Sequence, residues 1–401
     1  MAYPTSDKNQ NLADDKYDFS LVLGGPLYQL LRRSRLADDA LAMVHRRMLL
    51  FSILTWAPLL ILSWIDGHAL KGAVPPFLYD VDSHCRYLVA LPLLIYAELV
   101  VHRRMRGVVR QFLDRDLIPE SQMDRFFGIV RSAGRLRNSL IAEILLIAFV
   151  YGVGIPFVWR NIGAVNASTW YSAPAEGGGR PLAGLWLTYV SLPVFQFILF
   201  RWYFRLVIWT RFLWQISRLD LRLVPTHPDL SGGLGFLAGI VFAYVPLLMA
   251  QGVLFSGAIA NFIFYEGGKL PQYKLEIIAA VAASLFLVLG PLLVFVGRLS
   301  AARRKGLVEY GVLAQRYVKE FDHKWLRGGA AEGEPFIGSA DIQSLADLSN
   351  SYDVIRRMNI VPFTKETIFK LAVITLLPIL PLTLTMFSLE QLIERILKSV
   401  F

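Results

Sequence analysis

Seven stretches of this chain are apolar for long enough to cross a bilayer, and that leaves few folds open to it. A hydrocarbon core needs about 20 mostly apolar residues per helix. Backbone polar groups inside that core must find partners within the protein, which a helix achieves turn by turn. The stretches are Met48–Ile65, Tyr87–Val101, Leu140–Trp159, Leu185–Leu213, Phe236–Tyr265, Leu275–Val296 and Phe369–Met386. The second is short and is expected to start earlier, near Val81. The fourth and fifth are long, so each should tilt, kink or project beyond the bilayer. The predicted class is therefore an all-α integral membrane protein with seven transmembrane helices. Composition agrees: 55% of the 401 residues are hydrophobic and 18% charged, against about 25% charged in an ordinary soluble domain. These values exclude a disordered chain, a coiled coil and a collagen-like fibre. One cysteine, Cys85, excludes an intrachain disulfide framework and multi-cysteine metal or iron–sulfur sites.

Lys and Arg number 41 against 31 Asp and Glu, a net charge of +10. Such an excess could signal nucleic acid, but its distribution follows the membrane. The segments 1–47, 102–139, 297–367 and the stretch from Arg201, in the last part of the fourth span, to 235 carry, with Lys370, 33 of the 41 basic residues. The segments between them carry two each. Positive charge marks the cytoplasmic side, so the N-terminus is expected inside and the C-terminus outside. Pro378 and Pro381 interrupt the last span, and a re-entrant hairpin there would return the C-terminus to the cytoplasm. The first 47 residues are polar and hold six Asp, unlike a cleavable signal peptide. The expected location is a bacterial inner membrane.

Three segments fall outside the spans. Residues 19–41 read either as an interfacial helix or as a poorly ordered tail. In the segment 298–366, Leu307, Tyr310, Ala314, Tyr317 and Phe321 share one helical face; a Gly-rich break at 327–341 and a second helix at Ile342–Met358 complete a cytoplasmic helical hairpin. The tail 389–401 reads as a short amphipathic helix.

Local matches recur in order along the chain. WAPLL (56–60) pairs with YVPLL (244–248), PLLIY (92–96) with PLLVF (291–295), and IVR (129–131) with VIR (354–356). Arg103, Arg104 and Gly107 pair likewise with Arg303, Arg304 and Gly306. Two triplets of equal orientation need one crossing between them, which the fourth span supplies. The expected architecture is a 3+1+3 parallel repeat, as in some transporters. Its parts are 1–47, a first triplet 48–159, a linker span and turn 160–235, a second triplet 236–386 containing the hairpin, and a tail 387–401. Pro58, Pro92, Pro246 and Pro291 fall at matching places in paired helices, as hinges around a pathway or as ordinary packing kinks.

Ionisable groups at membrane depth should be paired or face a cavity. Glu98, Glu143, Arg201 and Arg205 are expected at one depth in the inner leaflet, as a staple joining spans two, three and four or as a proton or ion gate. Gln196, Gln251 and Asn261 could line a pathway or bond between helices. The turn LVPTHPDLSGGLGFLAG (223–239) offers a pH-sensing His227 with Asp229, an anion (phosphate) cradle on its glycine amides, a gate, or simply a capped tight turn. Gly235 and Gly239 there form GxxxG, which permits close helix approach. Asp80, Asp82, His84 and Cys85 are weak metal candidates, set against a capped helix start. No cofactor motif and no nucleophile–base constellation occurs, so an enzyme is disfavoured.

The segments THPDLSGGLGFL (226–237) and SYDVIRRMNIVPF (351–363) resemble stretches of uncharacterised bacterial polytopic inner-membrane proteins. That resemblance implies no activity and assigns no residue a role. The expected function is a channel or transporter for an ion or small solute, with its pathway at the repeat interface. The alternatives are a scaffold or sensor working through the hairpin, and a membrane-embedded lipid-handling enzyme. Expected partners are membrane lipids, anionic headgroups at the cytoplasmic face and further copies of the chain, without nucleic acid.

Overall fold

The computed structural model describes residues 19–33, 43–157, 169–172, 181–336 and 338–386. Among them every regular element is helical, and the one β feature is an isolated bridge between Thr169 and Ser172. Seven helices are long and apolar enough to cross a membrane: Val44–Ile65, Val81–Asp114, Leu140–Phe157, Leu182–Ser217, Phe236–Tyr265, Leu270–Leu326 and Lys365–Met386, called spans one to seven below. Span two starts at Val81 because Asp80 caps it, accepting the Ser83 N–H. Of the interfacial segment expected at 19–41, the helix Pro26–Arg33 is present; residues 34–41, and the helix expected at 389–401, lie outside the described residues.

Span six differs from expectation. Its apolar part and the amphipathic run beyond it form one helix that changes to 3₁₀ geometry at Gly290–Phe295 and continues to Leu326. The face Leu307, Tyr310, Ala314, Tyr317 and Phe321 is half-buried, as its spacing requires, and the helix packs on Ala340–Arg357. The Tyr317 hydroxyl donates to the Asp341 carbonyl at 3.0 Å, and Lys324 pairs with Asp341 at 2.8 Å.

Spans two, four and five form the core. Half or more of each apolar window is buried in protein, reaching 61% in span five, against 22% to 28% in the other four. Large rings fill it, among them Tyr87, Trp202, Trp209, Phe212, Tyr244 and Phe295. Span three rests mainly on span four, whereas spans five, six and seven all pack on one another. The two triplets therefore differ in internal packing. In span seven, Ile379 and Leu382 cluster with Ile259 and Ala260 at the far end of span five and with Leu270 at the start of span six, so as far as Met386 the chain runs the length of the bundle rather than turning back.

The connecting segments sort to two ends. Phe19 N–H reaches the Arg106 carbonyl, Arg222 N–H the Leu117 carbonyl, Arg298 the Ser217 carbonyl, and Asn359 N–H the Leu230 carbonyl. At the other end Asp66 accepts from Ala183 N–H, Trp170 donates to Asp80, and Tyr265 donates to the Tyr79 carbonyl. The segments rich in Lys and Arg thus share one end of the molecule.

Proline sets the local helix geometry. It removes one N–H and crowds the carbonyl four residues earlier. Pro58 frees the Leu54 carbonyl, and the Trp186 indole of span four donates to it at 3.3 Å. Pro193 frees the Tyr189 carbonyl, and the Tyr151 hydroxyl of span three donates to it at 3.2 Å. Wider π turns precede Pro92 (Cys85–Ala90) and Pro193 (Leu187–Ser191), relieving the clash. Pro246 follows a 3₁₀ turn and Pro291 sits within one. Pro58 is therefore tied to its neighbour, and the paired prolines do not share a local geometry.

Close approach lies elsewhere than the GxxxG at 235–239, because a Cβ on Gly239 would meet nothing within 4 Å. A Cβ on Gly252 would overlap the Thr375 carbonyl oxygen and lie 3.2 Å from Pro378. Gly252→Val should separate spans five and seven at a cost of about 1–3 kcal/mol. Thermal unfolding in detergent checks this, with Gly239→Val expected to be near neutral.

Candidate functional site

The candidate site is a cluster of buried charges at the basic end of the bundle. Span two carries Glu98 into it, and three guanidinium groups meet that carboxylate. Arg47 of span one lies 2.7 Å from Oε2, while Arg205 and Arg201 of span four lie 2.8 Å and 3.3 Å from Oε1. Arg201 and Arg205 are four apart and so share a helix face. Arg201 also reaches Glu143 at 3.4 Å. Glu143 sits in the first turn of span three, a helix capped by the Ser139 hydroxyl. An unpaired charge at this depth would cost several kcal/mol, so each carboxylate draws its partners in. The Arg205 guanidinium also stacks over the Trp202 ring at 4.8 Å.

The N-terminal segment closes the cluster. Gly24 and Gly25 take φ of +137° and +90°, values that a side chain would strain. That bend lets Leu27 N–H donate to Glu143 Oε2 at 2.8 Å and the Gly24 carbonyl accept from Arg201 at 3.4 Å. The Arg137 guanidinium donates to the Ser20 carbonyl at 2.6 Å; burial, then Arg205, presses its pKa below the ordinary arginine value. Phe19 stacks on Phe212, with centroids 4.6 Å apart. Beside Glu98 lies a cavity of about 20 Å³, lined among the described residues by Arg47, Glu98, Arg201 and the apolar Leu27, Phe51, Ile95 and Ile198.

Glu98, Glu143, Arg201 and Arg205 are thus together, as their shared depth predicts. Arg47 and the backbone of 24–27 were not expected. Arg47 belongs to an Arg-Arg pair that reads as orientation charge, although the depth count applied to Arg201 would have placed it here too. None of Pro58, Pro92, Pro246 and Pro291 lines the cavity.

His227 and Asp229 form a separate structure. Asp229 Oδ1 accepts from Ser231 and Gly233 N–H at 2.8 and 3.1 Å, and Oδ2 from Gly235 N–H at 2.9 Å. His227 Nδ1 lies 2.9 Å from Oδ1, and Arg115 donates to the Gly233 carbonyl at 2.9 Å. The glycine amides offered as an anion cradle are therefore filled by the chain's own carboxylate, which corrects that expectation. Burial alone would raise the Asp229 carboxyl; the N–H groups of Ser231, Gly235 and Gly233, with His227, outweigh it and hold its pKa below the usual aspartate value. The turn also joins the two segments that carry the resemblance, through Asn359 N–H and the Leu230 carbonyl at 2.8 Å.

The metal candidates are engaged separately. Asp80 accepts from Ser83, Trp170 and Asn261 at 2.6, 2.9 and 2.7 Å. Asp82 pairs with Arg86 at 2.6 Å, and His84 lies between the Trp56 indole and the Leu78 carbonyl. Among the described residues no group of three His, Cys, Asp or Glu is placed to hold a metal ion. Gln196 bonds to the Gly154 carbonyl and Gln251 to the Tyr203 hydroxyl, both between helices.

Fold and site together define a multi-pass, all-helical membrane protein with a polar cluster inside its basic end. No family model, curated protein or solved structure matches the chain.

Two outcomes follow. Glu98→Gln leaves Arg47 and Arg205 without their carboxylate and Arg201 with Glu143 alone, and should cost about 3–5 kcal/mol, read as a large fall in Tm in detergent. Asp229→Ala should cost about 2 kcal/mol through lost charge-assisted bonds. Because the folded pKa of Asp229 is depressed, its contribution is present above the unfolded value of about 3.9 and disappears as pH falls through the folded value. The Tm gap between wild type and Asp229→Ala should therefore narrow below about pH 4.

Proposed function

We propose that this protein is a channel or transporter for an ion or small solute in a bacterial inner membrane, with its N-terminus in the cytoplasm. The Glu98–Glu143–Arg47–Arg201–Arg205 cluster is its cytoplasmic gate. The 3+1+3 order of the spans, carried by the ordered sequence matches, gives the scaffold around it. The observation that supports this is the joining of charges from spans one, two, three and four with the backbone of residues 24–27. Well-packed apolar residues would join helices at lower cost than buried ions. An ionic joint is instead suited to opening, because its contacts can be exchanged for water or a permeant ion. Interruptions of regular helix at Cys85–Ala90, Leu187–Ser191, Phe242–Tyr244 and Gly290–Phe295 supply places for the spans to bend.

A scaffold or sensor role has its own support. Beyond the apolar part of span six, Val308 and Val312 are 67% and 61% exposed one helical turn apart, an apolar pair on the proposed cytoplasmic hairpin. The lipid-handling alternative has lost its anion cradle to Asp229.

Purified protein in proteoliposomes should pass protons, a cation, an anion or a small solute. Glu143→Gln, which frees the Leu27 amide and weakens the hold on Arg201, should change the rate several-fold. Absence of flux for every class in the wild type would exclude the transport role. Val308→Lys with Val312→Lys should leave flux unchanged; if it instead abolishes a co-purifying complex in a flux-inactive protein, the scaffold role stands.

A further inference from the structure

We infer that the cavity beside Arg47 is a binding site for a monovalent anion of halide size. This deepens the transport proposal by naming the class of ion at the same cluster. The first observation is a charge imbalance. Three guanidinium groups, of Arg47, Arg201 and Arg205, face two carboxylates, Glu98 and Glu143, which leaves one positive charge uncompensated among the described residues. All five side chains are buried, with exposures of 11% or less, so water does little to screen that charge.

The second observation is independent of the count. Arg47 is 2% exposed, and only its Nη1 is engaged, by Glu98. Its Nε and Nη2 are shut away from solvent with no hydrogen-bond partner. Guanidinium N–H groups can only donate, so what satisfies them must be an acceptor. Arg47 also forms part of the wall of the cavity of about 20 Å³, which has room for about one water-sized occupant. A phosphate or a carboxylate headgroup is too large for that space. A water would satisfy donors and leave the charge. A chloride ion is close to water in size, accepts several N–H bonds, and cancels the charge. The apolar side chains of Phe51, Ile95 and Ile198 on the remaining walls suit a weakly hydrated anion, and the one carboxylate on the wall, Glu98, is already held by three arginines.

The site also explains the N-terminal bend. Leu27 lines the same cavity, held there by its N–H on Glu143. Residues 24–27 thus cover the anion, and their release would open it toward the basic end.

The test uses full-length protein in detergent. Chloride and bromide should each raise Tm saturably relative to gluconate at constant ionic strength. Arg47→Lys keeps the charge but loses the Nε and Nη2 donors, and should weaken half-saturation about tenfold, the effect of one charge-assisted bond. Arg47→Met should abolish the response. Should Arg47→Met fail to fold, anomalous diffraction from wild-type crystals grown in bromide decides: a peak in the cavity within reach of Arg47 Nε or Nη2 supports the site, and density there with no anomalous signal means water and overturns it. A wild type indifferent to halide, or a response retained in Arg47→Met, also overturns it. Halide binding without flux would keep this site and remove the transport role, whereas flux of another ion without halide binding would do the reverse.

Discussion

A carboxylate buried among apolar helices has to bring its counter-charges with it, and Glu98 brings three. The contacts of 2.7 to 3.3 Å from Arg47, Arg201 and Arg205 fix spans one, two and four in mutual register. Arg201 then passes the constraint to span three through Glu143, and Glu143 passes it to the N-terminal backbone through Leu27. Span five needs no such link. It packs on span two through small residues, where a Cβ on Gly257 would crowd Cys85 and Asp82. Span five is thus held to span two by close backbone approach at Gly257 and by the Asn261 amide on Asp80.

The same rule governs the backbone. Wherever proline removes a donor, the freed carbonyl must find another or the helix must change pitch. Trp186 and Tyr151 act as substitute donors for Leu54 and Tyr189, and each comes from a neighbouring span. A defect inside one helix thus becomes a bond between two, in a solvent that supplies no hydrogen bonds of its own.

The sequence made the spans legible because length and apolarity are counted directly. Phe236–Tyr265 was read to the residue, and the segments richest in Lys and Arg do meet at one end. The charge cluster was half legible. Depth counting brought Glu98, Glu143, Arg201 and Arg205 together, but Arg47 was concealed in an Arg-Arg pair that orientation alone accounts for. The backbone donor at Leu27 leaves no side-chain signal at all; only the Gly24–Gly25 pair marks a bend. The His-Pro-Asp turn is ambiguous in sequence for a definite reason. Free amides ahead of a helix look like an anion site until the anion proves to be Asp229, six residues before the last of them. Continuity of span six with the amphipathic helix was hidden because polarity changes at the membrane boundary while the backbone does not.

One consequence lies in the order in which the chain is made. Residues 19–27 precede the seven spans described, yet the partners that hold them among the described residues come later, among them Arg106, Arg137, Glu143, Arg201 and Phe212. Glu143 and Arg201 are in place only after the third and fourth spans have been inserted. A segment that precedes these spans is therefore among the last to dock, and its docking reports that four spans have been assembled in the correct arrangement. A segment that completes the cluster from outside, after the helices are seated, is also one that can leave without dismantling them.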